Sequence, residues 1–127
     1  MESIMRLPSL KGCLALFRGE NGRSRQFTEN VPIVEVDAEL AELIPQYLSS
    51  RWADLAFARQ LFKSGDYFLL SRTARRIRDG AISHGFAGLG DIAQALEAAA
   101  DQNDARAVLT QLEAYDAFLR SVRIDYV

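Results

Sequence analysis

Leu69-Leu70-Ser71-Arg72-Thr73-Ala74-Arg75-Arg76-Ile77-Arg78-Asp79-Gly80-Ala81-Ile82-Ser83-His84-Gly85-Phe86 is the stretch that decides the fold. Leu70, Ala74, Ile77, Ala81 and His84 recur at helical spacing and make one stripe of an amphipathic helix. Arg72, Arg75, Arg76, Arg78 and Asp79 fall mostly away from that stripe, so one face suits a core and the other suits water or a partner. Gly65 can stop a preceding helix, Asp66 can cap this one, and Gly85 ends it. The pattern predicts a helix over about residues 66–84.

Outward from this helix the chain repeats the same design. Ile33-Val34-Glu35-Val36 alternates and reads as a short extended lead-in. Asp37 is an N-cap candidate for a helix starting at Ala38-Glu39-Leu40, with acidic residues in its first turn where the helix dipole favours them. Leu40, Ile44, Tyr47, Leu48, Leu55, Ala58 and Phe62 continue it, and Pro45 should kink or divide it near its start. Trp52 and Phe57 are expected to pack against the lead-in or neighbouring helices. A third helix follows Gly85-Phe86-Ala87-Gly88, with Leu89, Ile92, Ala93, Leu96 and Ala100 as its buried stripe. Asn103 or Asp104 caps a fourth, which carries Val108, Leu112, Tyr115, Leu119 and Val122 at bundle-seam spacing. Short links make neighbours antiparallel. Four amphipathic helices with little strand signal predict an all-α, up-down antiparallel four-helix bundle over residues 34–127, behind an N-terminal extension of residues 1–33.

That extension is broken by Pro8, Gly12, Gly19, Gly22 and Pro32. Glu20-Asn21-Gly22 can turn between two short extended pieces, Leu14 to Phe17 and Ser24 to Thr28. A loosely ordered tail and a docking arm are both open here.

The whole chain has 127 residues, which suits one domain with one core. A net charge of -2 gives no general affinity for nucleic acid. Cys13 is the only cysteine, so neither an intrachain disulfide nor a cysteine metal cluster is expected, and a cytoplasmic setting is the simplest reading. The apolar run from Cys13 to Phe17 is far below the ~20 residues a membrane span needs. Lys11 and Arg18 bracket it too closely for a signal peptide.

Read back from Gly85-Phe86, the opening stretch resembles the central helix of a histidine-containing phosphotransfer (HPt) domain. That family's pattern runs Ala/Gly-His-x-Leu-Lys-Gly-Ser, then several small residues, then Gly-Phe. Ala74 falls on the family's small residue, Ile77 on its leucine, Arg78 on its lysine and Asp79 on its glycine. Arg75 falls where the family keeps its phosphoacceptor histidine. Val36 to Pro45 is similar to the beginning of the bundle in bacterial members, Lys63-Ser64-Gly65-Asp66 to their link before the histidine helix, and Tyr115 to Tyr126 to their final helix and tail.

The resemblance implies a four-helix carrier that meets a response-regulator receiver domain or a hybrid histidine kinase, with no cofactor and no metal of its own. It also implies a changed centre. A phosphotransfer histidine attacks through a neutral imidazole nitrogen, whereas an arginine stays protonated and offers no lone pair. Arg75 cannot carry phosphate by the family's mechanism. The expected role is a pseudo-phosphotransfer one, in which Arg72, Arg75, Arg76, Arg78 and Asp79 form the partner-binding face and Arg75 and Asp79 make an exposed pair. His84, the only histidine, is the alternative acceptor. It lies nine residues on, about half a turn out of phase and roughly 13.5 Å along the axis, in phase with Ile77. Packing near Gly85-Phe86 is its expected place. An active phosphocarrier using His84, and a structural or dimerising helical bundle, stay open beside the first reading. No enzyme is expected: no Ser/His/Asp set, glycine-rich phosphate loop or Cys/His metal spacing can be assembled. Oligomeric state is left open.

Overall fold

The structure is a computed structural model that describes residues 31–127. The extended pieces read at 14–17 and 24–28, and the turn between them, lie outside the described residues. The elements run β1 (Ile33–Val36), a 3-10 helix (Ala38–Leu43), α1 (Ile44–Ser64), α2 (Tyr67–Ser83), α3 (Ala87–Asp101), α4 (Ala105–Ser121) and β2 (Arg123–Tyr126).

The helix boundaries follow from their caps. Asp37 Oδ1 accepts from the Glu39 amide at 2.9 Å and starts the 3-10 helix. Pro45 sits in the first turn of α1, where its missing N–H costs nothing, so it marks the change from 3-10 to α geometry. Gly65 ends α1 at φ 73°, a left-handed conformation that a side chain would disfavour. Asp66 Oδ1 then accepts from the Leu69 amide at 3.0 Å and opens α2. Gly85, at φ 86°, turns the chain out of α2. Asp104, rather than Asn103, caps α4 through the Ala107 amide at 3.1 Å.

The stripe at Leu70, Ala74, Ile77 and Ala81 is almost wholly buried. It meets Leu55 and Leu61 of α1, Leu89 and Leu96 of α3, and Val108, Leu112 and Tyr115 of α4 in one core. Each fully buried leucine or isoleucine contributes about 1.5–3 kcal/mol, so this stripe sets the pose of α2. The helix packs most closely on α3, while α1 packs on α2 and α4, and α3 on α4.

Two expectations need correction. The chain is mostly helical, but not all-α: β1 and β2 pair in parallel, with Ile33 opposite Arg123 and Val36 opposite Tyr126. Residues 123–126 read as a tail, because a four-residue strand whose partner lies some ninety positions earlier leaves no local pattern. The pairing buries Val34 and Val36 at the base of the helices. Trp52 and Phe57 also differ from expectation. Both lie partly in solvent, and the Arg120 guanidinium lies 5.7 Å from the Trp52 ring centroid.

Candidate functional site

Because Leu70, Ala74, Ile77 and Ala81 face the core, Arg72, Arg75, Arg76 and Asp79 are forced outward on the opposite side of α2. There they line one shallow depression, flanked by Phe68 and Asp101. Phe68 is 75% exposed, so the face is both basic and apolar at its N-terminal end.

The arginines have different surroundings. Arg72 makes no ion pair among the described residues and lies 5.7 Å above the Phe68 ring. Arg75 Nε donates to Glu97 Oε2 at 2.9 Å, while the rest of its side chain stays open to solvent. Arg76 reaches back toward α1 and lies 3.6 Å from Asp54 Oδ1. Arg78 is the most covered of the four. Its Nη1 donates to Glu97 Oε1 at 2.7 Å and its Nε to Asp79 Oδ1 at 3.2 Å. The expected Arg75–Asp79 pair is therefore not made: Glu97 of α3 takes Arg75, and Arg78 takes Asp79. The Glu97 hydrogen bond and charge hold the Arg75 guanidinium above its ordinary pKa, so it is a permanent cation.

Glu97 was missed by the sequence reading. It sits one residue after Leu96 and four after Ala93, on the edge of the α3 stripe, and is only 7% exposed. Its position beside a buried stripe, facing an i,i+3 arginine pair on the preceding helix, was the available signal.

His84 is not in the core. It caps the C-terminal end of α2 with an exposed ring that stacks on Tyr47 at 4.5 Å, and Tyr47 in turn packs on Phe86 at 4.8 Å. His84 Nδ1 lies 2.8 Å from the Gly80 carbonyl oxygen. A carbonyl only accepts, so this contact puts a proton on Nδ1, and in the neutral ring the lone pair is then on Nε2. Arg75 reaches α3 while His84 rests on α1, so the two are not brought together.

Behind Tyr47 lies a second polar group. The Arg51 guanidinium sits 4.6 Å from the Tyr47 ring centroid and 2.9 Å from Asp54 Oδ2. The Tyr115 hydroxyl donates to the Arg51 carbonyl at 2.8 Å. Burial, the largest cause for each, pushes the Tyr47 and Tyr115 hydroxyls up in pKa, Tyr115 strongly.

No group of three or more His, Cys, Asp or Glu side chains among the described residues is placed to hold a metal ion. No helix among them is long and apolar enough to cross a membrane. Comparison of the chain with protein-family models, curated proteins and solved structures finds no match to any of them.

Proposed function

We propose that the chain is an HPt-like, pseudo-phosphotransfer module of two-component phosphorelay signalling, which binds a response-regulator receiver domain, free or within a hybrid histidine kinase, without accepting phosphate. The observation that carries this reading is Arg75. It stands on the outward face of α2, at the position where the resemblance puts the phosphoacceptor histidine, with its guanidinium turned to solvent beside Arg72. A fixed cation there suits the acidic pocket of a receiver and cannot take the phosphoryl group from it. The packing of α1 on α2 and α4, α2 on α3, and α3 on α4 is what an up-down antiparallel bundle of this family would give. Asp79 would repel an acidic pocket, but the Arg78 guanidinium beside it offsets that charge. Such a module works in the cytoplasm.

A second reading has its own observation. His84 is exposed, with Nδ1 on the Gly80 carbonyl and Nε2 making no hydrogen bond among the described residues, so a neutral ring would offer the Nε2 lone pair as a phosphocarrier needs. The two readings separate in one experiment. The purified protein and its His84→Ala variant are incubated with phosphorylated receivers from the same cell, and both phosphate transfer and binding are followed. The expected result is binding without transfer, unchanged by His84→Ala and weakened when Arg72 and Arg75 are neutralised. Transfer that depends on His84 would replace this reading with the phosphocarrier one, and absence of both would end it.

A further inference from the structure

We infer that Glu97 is a positioning residue, which holds Arg75 by its Nε so that the Nη edge of the guanidinium, with Arg72 beside it, receives carboxylates from an acidic protein surface. The partner's identity as a receiver rests on the proposed function, whereas the Glu97–Arg75 pair and its preference for carboxylates do not.

Glu97 is the only buried acidic residue among those described. A buried carboxylate is costly unless both oxygens are engaged. Here Oε2 accepts from Arg75 and Oε1 from Arg78, so one α3 side chain fixes two α2 arginines three residues apart. The two are left in opposite states. Arg78 has donors on both Glu97 and Asp79 and little solvent exposure, so it belongs to the α2–α3 contact. Arg75 gives up one of its five N–H donors, and its Nη groups make no hydrogen bond among the described residues.

That difference sets the chemistry. A free arginine on a helix surface loses side-chain entropy when a partner immobilises it. Anchoring Nε removes part of that loss before any partner arrives. With Nε–H occupied, the side-on edge is closed, and the end-on pair of Nη groups remains for a planar, bidentate acceptor. Arg72, one turn earlier and without an ion pair among the described residues, adds a second cation on the same depression. The occupant that fits is a protein surface bearing neighbouring aspartates or glutamates.

The test uses the full chain, the receivers of the same cell, and a poly-aspartate peptide of about ten residues as a partner-independent probe. Binding is measured at about 0.3 M salt, where the extra positive charge of a Glu97→Gln variant acts over only a few ångströms. Arg75→Gln and Glu97→Gln should each weaken peptide binding by about three- to fivefold, and the double variant should be no weaker than Arg75→Gln alone. Arg59→Gln, on α1 outside this depression and paired with Asp116, should change binding less than twofold. In the free protein, the Arg75 Nε–H nuclear magnetic resonance signal should be slow to exchange and should become fast in Glu97→Gln. Arg75→Lys, which keeps the charge and the Glu97 contact but has no fork, should bind as poorly as Arg75→Gln, and it reports on the inference even if Glu97→Gln folds badly. Additive losses, tighter binding by Glu97→Gln, or equal losses at Arg75 and Arg59 would each overturn the inference. If the wild type binds the peptide but no receiver, the pair stands and the receiver reading fails. Binding of neither removes both.

Discussion

At the scale of single residues, α2 keeps one position that works against its own stability. Gly80 lies inside the helix, and a Cβ built on it meets nothing within 4 Å. Glycine in a helix interior costs roughly 0.5–1 kcal/mol relative to alanine, because the unfolded chain loses more freedom on folding. Gly80→Ala should therefore stabilise the protein by about that amount, seen as a higher denaturation midpoint with an unchanged slope. The Gly80 carbonyl, which His84 uses, is untouched by the change. A lower midpoint would mean that this turn of α2 is not regular helix in solution. Gly65 is the contrast. It too has open space around it, but its φ of 73° makes any side chain strained there.

At the scale of elements, the link between α1 and α4 runs through Tyr115, which is fully buried and donates to the Arg51 carbonyl. Tyr115→Phe removes one hydrogen bond and should cost about 1 kcal/mol at neutral pH. The pH dependence has a definite sign. Burial, the first cause, raises the Tyr115 pKa in the folded state above its unfolded value near 10, and Tyr47 is raised too. A group raised in the fold gives stability that is complete below the unfolded value and lost as pH climbs toward the folded one. Wild-type stability should fall above about pH 10, and the Tyr115→Phe variant should fall less steeply, so the gap between them narrows. Parallel denaturation curves from pH 9 to 11 would show that Tyr115 does not couple folding to proton loss. Elements also decide what the sequence makes legible. The stripe at Leu70, Ala74, Ile77 and Ala81, and the caps at Asp66 and Asp104, are local signals and were readable. The outward place of Arg72, Arg75 and Arg76 follows from the same periodicity. The β1–β2 pair and the Glu97 bridge are contacts between distant segments, and neither carries a periodic signature. His84 was read in phase with the core stripe, but α2 ends at Ser83, and the last turn lets the ring swing onto Tyr47 instead.

At the scale of the whole molecule, the charges are unevenly placed. The chain holds 15 basic and 17 acidic residues, yet α2 alone carries four arginines against one aspartate. Glu35, Asp37, Glu39 and Glu42 are concentrated, all exposed, on β1 and the 3-10 helix. Net charge and local face therefore make opposite demands on an acidic partner. If the overall charge of -2 governs encounter, an acidic partner is repelled, and added salt should speed association. If the α2 face governs, the partner is steered by nearby cations, and added salt should slow it. Screening acts over about 8–10 Å at moderate ionic strength, which is shorter than the span of a small domain, so the near face should win. The association rate with an acidic partner, such as the proposed receiver, should thus fall several-fold, on the order of three to ten, as salt rises from about 0.05 to 0.3 M. Replacing Arg76 with glutamine should flatten part of that dependence while leaving the dissociation rate nearly unchanged, because Arg76 is turned toward Asp54 of α1 and is not held by Glu97. Stopped-flow association across the salt series reads both quantities. A rate that rises with salt would mean that the molecule meets its partner by some surface other than the outer face of α2.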